Sequence, residues 1–480
     1  MNGRGVLNAV GALVVFVGVA MLAPLGVALH YGQGDARAFG ISAAATVAAG
    51  VLIFLLTRGS SDLGVRDGFG VVGFGWTAMA VFGSLPLMLA GTCDSFTDAL
   101  FETMSGFTTT GATILTDIEA APRGVLFWRS LIQWIGGMGI IVLSLAILPM
   151  LGVGGMQLYR AEAPGPTPDK LTPRIRQTAA YLWGVYVLIS AAEAVALFLA
   201  GMSWYDAVCH TFTTMATGGF STRNASIAAF DSAWIDAILV FFMLLAGTNF
   251  ALHYRAWRSP LAYLRDQEWR FYALLLLGGT LITATALWAA HGYEVSTAFR
   301  SATFQIVSIT TTTGFGTDDY ERWSPALRWL LLALMFVGGC AGSTAGSMKV
   351  ARHMILLKAG LSELAVMANP RVVRPITLGR GRRVGSDVVR NVLGFAVLYM
   401  GILVAGTMVL SVCGFDLETA LSAAATCLTN VGPGLADVGP TDSFAWMPRA
   451  AKWALTFLML MGRLEVYTIL ALFLPQTWKR

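Results

Sequence analysis

The stretch SGFTTTGAT, residues 105–113, is one of four in which a run of threonine, serine or asparagine ends in glycine. The others are TTMATGGFST at 213–222, SITTTTGFGT at 308–317 and TCLTNVGPG at 426–434. Their glycines, Gly111, Gly219, Gly314 and Gly432, recur at intervals of roughly a hundred residues, the mark of repeated structural units. A second marker keeps the same register. Thirteen residues before each glycine stands a helix-capping residue followed by alanine: Asp98-Ala99, Asp206-Ala207, Ser301-Ala302 and Thr419-Ala420. A helix starting there and running about eight or nine residues is too short to span a bilayer, and its C-terminal end points at the glycine element.

The surroundings are those of a membrane protein. Of 480 residues 56% are hydrophobic and only 12% charged, with mean hydropathy +0.67, which excludes an ordinary soluble domain. Ten stretches are long and apolar enough to cross a bilayer, near 7–29, 39–57, 69–91, 125–152, 178–201, 232–253, 270–290, 326–350, 386–413 and 450–475. The first follows Arg4 and leads into a second apolar segment, so it reads as a retained span and not a signal peptide.

Cations alternate between loops. Arg58 and Arg66; Arg160, Lys170, Arg174 and Arg176; Arg255, Arg258, Arg265 and Arg270; and Arg371, Arg374, Arg380, Arg382 and Arg383 mark the cytoplasmic side. The net charge of +5 reports this bias and calls for no nucleic acid. The opposite loops carry Asp94, Asp98, Glu102, Asp117, Glu119, Asp206, Asp231, Asp318, Asp319, Glu321, Asp437 and Asp442, an acidic outer mouth that would concentrate cations. Five cysteines, Cys93, Cys209, Cys340, Cys413 and Cys427, are scattered without metal-ligand spacing and read as packing residues.

Four helix ends aimed at one polar path describe a cation pore. Helix C-termini carry partial negative charge, and irregular backbone at membrane depth survives only inside protein or along a water-filled cavity. Glycine supplies the left-handed dihedrals that let successive carbonyls face an axis. A ring of carbonyls replaces the hydration shell of a large monovalent cation, and potassium loses that shell at least cost. The competing reading is that Gly, Ser and Thr merely let membrane helices pack closely.

Two further features suggest control. GGCAGSTAGSMK, residues 338–349, interrupts a spanning helix with poor helix formers, so a break is expected near Gly342 to Gly346, either plugging the path or making a close helix crossing. Ser343 lies within it and Lys349 beside it, a natural electrostatic barrier. Arg463 lies midway along the last span, where it either repels cations from the lower pore or forms a structural ion pair. Glu465, two residues on, lies on another helix face. Glu193 is a buried acid without an assigned role.

At these residues the chain resembles the Trk/Ktr/HKT superfamily of potassium transporters, and most closely its bacterial TrkH branch. The similarity runs nearly end to end and includes WIGGMGIIVLSLAILPMLGVGGMQLYRAEAPGP from Trp134 to Pro166, GGCAGSTAG from Gly338 to Gly346 and GRLEVYTILALF from Gly462 to Phe473. The resemblance implies an all-α integral membrane protein of four channel-like units, each helix, re-entrant pore helix, filter loop and helix, around one pore, preceded by two leading helices. The expected divisions are 1–68 for the leading pair, then units at 69–176, 177–269, 270–385 and 386–480. It also implies potassium at backbone of Thr109, Thr110 and Gly111; Thr217, Gly218 and Gly219; Thr312, Thr313 and Gly314; and Asn430, Val431 and Gly432. The gate would comprise loop 338–347, with Gly342, Ser343, Gly346 and Lys349, together with Arg463. In plant relatives serine at the first filter glycine accompanies sodium transport, so Gly111 favours potassium. The units differ from one another and from a five-residue TVGYG channel filter: Ala112, Phe220, Phe315 or Pro433 follows the glycine, which suggests a shorter ladder of ion sites.

The implied setting is the bacterial inner membrane, as a multi-pass homodimer that docks a TrkA-like nucleotide-binding ring protein on its cytoplasmic face. Potassium is then the only ligand, with no organic cofactor. Equal orientation of the four units favours passive permeation, with a proton- or sodium-coupled symporter as the alternative. An intramembrane serine protease built on Ser343 and His353 is the remote rival, since catalysis needs no fourfold element. Gly152, Gly154 and Gly155 lack the Lys-Ser/Thr of a phosphate-binding loop.

Overall fold

The computed structural model describes residues 1–59, 64–146, 171–257, 259–370, 375–378 and 382–478. Expectations attached to Gly152, Gly154, Gly155, Arg160, Lys170, Arg258, Arg371, Arg374 and Arg380 lie outside the described residues. Within them the protein is helical apart from one two-residue ladder pairing Thr377–Leu378 with Arg382–Arg383.

Helices α1 (Gly3–Ala20), α2 (Leu22–Tyr31) and α3 (Ala36–Leu56) form the leading pair of spans. Here small-residue packing does operate: a methyl added at Gly11, Gly18 or Gly50 would come within 2.9 Å of the facing backbone. Repeat one follows with α4 (Val65–Gly83), α5 (Leu85–Leu89), the short α6 (Phe96–Phe107) and α7 (Arg123–Ala146). Repeat two comprises α8 (Leu171–Leu199), short α9 (Trp204–Met215), α10 (Ala233–Ala246) and α11 (Phe250–Ala256). Repeat three opens with one turn, α12 (Ala262–Arg265), before α13 (Gln267–His291), short α14 (Val295–Thr310), α15 (Pro325–Met335) and α16 (Val350–Ala368). Repeat four contains α17 (Ser386–Val412), short α18 (Leu417–Thr429), α19 (Arg449–Arg463) and α20 (Glu465–Phe473).

Among the described residues seven segments are long and apolar enough to cross a bilayer unbroken. The returning helices of repeats two and four are not straight spans, contrary to expectation. They bend by 101° between α10 and α11 and by 116° between α19 and α20. The first bend has a visible cause: the Gly247 carbonyl accepts the Cys340 amide of the repeat-three loop at 2.8 Å and so leaves the helical ladder. The second occurs at Leu464, where Glu465 adopts φ +55°. In repeat three the expected break is longer than Gly342 to Gly346, since regular helix is absent from Phe336 through Lys349.

The caps also differ from expectation. The short helices begin after Ser95, Ser203, Glu294 and Asp416, and run for 12, 12, 16 and 13 residues. Asp98 and Asp206 are the third helical residues, and their carboxylates accept the hydroxyls of the true caps Ser95 (2.7 Å) and Ser203 (2.8 Å). Thr419 occupies the same place after Asp416, whereas Ser301 lies deep within α14. What the repeated dipeptide marks is its alanine: Ala99, Ala207, Ala302 and Ala420 have no exposed surface and admit close packing of the short helices.

Candidate ion pathway

Each short helix ends in the same backbone figure. The residues after the helix, Thr109, Thr217, Thr312 and Asn430, take left-handed conformations with φ of 51°, 54°, 59° and 57°. The next amide turns back five residues, from Thr110 to Ser105, Gly218 to Thr213, Thr313 to Ser308 and Val431 to Thr426, at 2.8, 2.8, 2.8 and 3.0 Å. These are Schellman-type ends. Asparagine visits this region readily, but β-branched threonine does so only at a cost of about 1–3 kcal/mol, which the surroundings must offset. The glycines then return to positive φ: 86° at Gly111, 75° at Gly219, 80° at Gly314 and 104° at Gly432. A left-handed residue, a residue with negative φ and a left-handed glycine thus recur four times.

The four figures close on one another. A methyl on Gly111 would meet the Gly218 carbonyl oxygen at 2.2 Å, and one on Gly219 the Thr313 oxygen at 2.0 Å. One on Gly314 would meet the Val431 oxygen at 2.0 Å, and one on Gly432 the Thr110 oxygen at 2.6 Å. Each glycine abuts the middle carbonyl of the next repeat, and the fourth returns to the first. All twelve expected filter residues therefore come together in one ring, where no side chain beyond hydrogen fits at the glycine positions.

Buried polar groups nine or ten residues before each glycine brace the chain leaving the ring; sequence reading took Glu102 only as an acid of the outer mouth and missed the other three. Glu102 accepts Thr113 Oγ1 at 2.9 Å and the Ile114 amide at 2.8 Å. His210 Nε2 meets Ser221 Oγ at 2.9 Å. With its amide oriented to satisfy both groups, Gln305 accepts the amides of Thr317 and Asp318 at 2.9 and 3.1 Å. Ser422 bonds both backbone groups of Leu435 at 2.8 and 3.1 Å. All four are buried. The common offset was the available signal, hidden because Glu, His, Gln and Ser share a task and not a residue type.

Beneath the ring lies the loop between α15 and α16. Gly346 donates to Thr312 Oγ1 at 2.7 Å, and a methyl there would meet the Thr429 carbonyl oxygen at 2.4 Å. Thr344 Oγ1 donates to the carbonyls of Met215 and Ala246 at 2.9 and 3.2 Å. The loop accordingly touches the ends of short helices in repeats two, three and four, and Ser343 through Met348 are buried. Gly342 takes φ +76° beside Asn249, and its carbonyl accepts the Phe250 amide at 3.1 Å.

Arg463, only 2% exposed, ends α19 at the bend. It donates through Nη1 to the Thr344 carbonyl at 2.7 Å and through Nη2 to the Gly136 carbonyl at 3.3 Å, joining repeat four to the loop and to repeat one. No carboxylate pairs with it among the described residues, so the structural ion pair is not formed. Glu465 pairs instead with Arg352, whose guanidinium lies 4.1 Å from the centre of the Phe395 ring. Lys349, at φ +71°, turns its ammonium back onto the carbonyls of Ser343 and Ala345. Ser343 donates to the Cys340 carbonyl at 2.6 Å and His353 meets the Lys349 carbonyl at 3.2 Å, so the two are not joined as a nucleophile and base. Glu193 is fully buried in α8.

Above the ring is a cavity of about 310 Å³ lined by all four filter glycines. Its wall is less acidic than the sequence suggested. Asp98 pairs with Lys452 at 2.6 Å, Glu102 with Arg129 at 2.7 Å and Asp206 with Arg223 at 3.4 Å, and Arg129, Arg223 and Asp442 are the charged lining residues. On the rim the Asn224 amide, donating at 3.2 Å, holds the Asp117 carboxyl below its ordinary range.

A ring of four helix-ended backbone elements, with a cavity on one side and a buried polar loop packed against the other, defines a multi-pass membrane transport protein of channel-like build. The family described as TrkH, cation transport protein, matches residues 36–479, and the chain belongs to it. It is 42% identical over 485 residues to the Trk system potassium uptake protein TrkH of Halomonas elongata, covering 100% of both chains. It is 37% identical to the Trk system potassium uptake protein TrkG of Escherichia coli, covering 99% of each. It superposes on the crystal structure of the potassium transporter TrkH from Vibrio parahaemolyticus with TM-score 0.92 at 40% identity, covering 100% of both. The family is one of transport proteins and not of enzymes.

Proposed function

We propose that this protein takes up potassium across the bacterial inner membrane through the ring formed by Thr109, Thr110 and Gly111, Thr217, Gly218 and Gly219, Thr312, Thr313 and Gly314, and Asn430, Val431 and Gly432. Potassium is the transported substrate. Loop 338–347, including Gly342, Ser343 and Gly346, with Lys349 and Arg463, acts as the gate. On this reading the chain divides into a leading pair, 1–68, and four pore units, 69–176, 177–269, 270–385 and 386–480.

The observation that carries the reading is the closed ring with its fourfold repeat of a left-handed residue, a residue with negative φ and a left-handed glycine. Four carbonyl-bearing segments around one axis suit a cation that sheds its water, and helix C-termini behind them add negative potential. The relatives' names supply the ion, potassium, and assign those relatives to a Trk system. We read the cytoplasmic face, with its basic loops, as the docking surface for a TrkA-like nucleotide-binding ring protein that drives the gate, and the protein as a homodimer. Size-exclusion chromatography with light scattering, with and without such a partner, tests both.

Rubidium uptake into liposomes holding the purified protein, competed by sodium and by lithium at two pH values, tests the function. Uptake that follows the imposed potential, resists sodium and ignores a proton gradient is expected. Equal competition by sodium would overturn the potassium assignment, and uptake driven by a proton gradient alone would favour a coupled symporter.

A further inference from the structure

The helix α7 sets a polar side chain against the ring at a position where the corresponding helices of the other repeats carry methionine. Gln133 is fully buried; its Nε2 donates to the Gly218 carbonyl at 2.7 Å and its Oε1 accepts the Phe220 amide at 3.2 Å, so the amide straddles Gly219. It stands three residues before Gly136, whose added methyl would meet the Phe107 carbonyl oxygen at 2.0 Å. In repeat four the same contact joins Gly462 to the Leu428 carbonyl at 1.9 Å, and three residues before Gly462 is Met459. Met243 precedes Ala246 and Met335 precedes Gly338 by the same interval at the ends of α10 and α15. All three methionines have no exposed surface.

The clamp has a second level one turn along α7. Arg129, held by Glu102 at 2.7 Å, donates to the Ser221 carbonyl at 3.4 Å and lies 4.1 Å from the centre of the Phe220 ring. Arg129 and Gln133 thus hold the second repeat's filter from Gly218 to Ser221, and Gln133 alone touches a carbonyl of the ring.

We propose that Gln133 is a specificity-determining residue that biases the pore toward the larger alkali cation. The proposal rests on the potassium reading above. Its physical basis is that a carbonyl already accepting a strong hydrogen bond offers a weaker field to an ion. It is also held where it stands, so it cannot follow a smaller ion inward. Sodium needs both a stronger field and a tighter cage. Replacing the amide by a thioether frees the Gly218 oxygen and leaves the Phe220 amide without its acceptor, and both changes favour sodium.

Gln133→Met gives repeat one the residue of the other three with little change of volume. Rubidium uptake into liposomes is measured with rising sodium for the unaltered protein and the variant, after each is shown to be monodisperse in detergent. If the unaltered protein takes up no rubidium, or does not prefer it to sodium, the potassium reading has failed. If it does, and the variant still carries rubidium but is inhibited by about tenfold less sodium, as loss of one or two hydrogen bonds at the ring suggests, the proposal is supported. A folded variant with an unchanged sodium inhibition constant overturns it. Gln133→Leu, read in the same way, serves if the methionine variant is not recovered folded.

Discussion

Replacing Arg463 with alanine should open the pathway. The guanidinium is buried and reaches the Thr344 carbonyl of the loop at 2.7 Å and the Gly136 carbonyl at 3.3 Å. A hydrogen bond from a charged donor contributes about 1.5–3 kcal/mol. If the contact to Thr344 exists only while the loop lies beneath the ring, its loss shifts the closed-to-open balance by about 2 kcal/mol, or about thirtyfold, at about 1.4 kcal/mol per factor of ten. Removing a positive charge below a cation ring acts in the same direction. Arg463→Lys keeps the charge but cannot span both carbonyls in the same planar fork, and should fall between the two. The assay is rubidium flux into liposomes without any cytoplasmic partner, normalised to reconstituted protein. Flux at or below that of the unaltered protein, from Arg463→Ala that remains monodisperse, would refute the gating role and leave Arg463 a structural tie between repeats.

Three other outcomes follow from the same geometry. Deleting Gly342 to Gly346 should raise unregulated flux in that assay, and no change would sink the loop as a gate. Gly219→Ala puts a methyl 2.0 Å from the Thr313 carbonyl oxygen at φ +75°, so rubidium uptake should be lost while the protein still reaches the membrane; retained uptake would show that the ring is not the path. Glu102→Gln leaves the Arg129 charge buried without its partner, a cost of about 3–5 kcal/mol. The detergent-purified variant should melt at a clearly lower temperature, and an unchanged melting point would mean the buried pair contributes no stability.

The fold was legible wherever it repeats. The interval between glycines and the thirteen-residue offset located all four short helices, because the first records a backbone demand and the second a close packing that few residue types meet. The caps were misread by three residues at Asp98, Asp206 and Thr419, because a capping residue and the acid or hydroxyl that answers it three positions later belong to the same chemical types. Ser301 was misread for another reason: α14 begins early, at Val295. The bends after Ala246 and Arg463 fall at short polar interruptions, Gly247 to Asn249 and Arg463 to Glu465, that were read as parts of straight spans, and the partner that draws the Gly247 carbonyl out of the ladder, Cys340, lies far off in sequence. The left-handed threonines were also invisible, because glycine alone was expected to accept such backbone. For the acidic mouth, residue types were read correctly but their pairing with Lys452, Arg129 and Arg223 was not, since those partners lie far off in sequence.

Rubidium located by its anomalous scattering in crystals of this protein tests the central claim most directly. The account predicts a peak on the axis of the ring, among the backbone oxygens of Thr110, Gly218, Thr313 and Val431, that weakens when potassium replaces rubidium in the crystal. Ordered rubidium only elsewhere, with nothing on that axis, would contradict it.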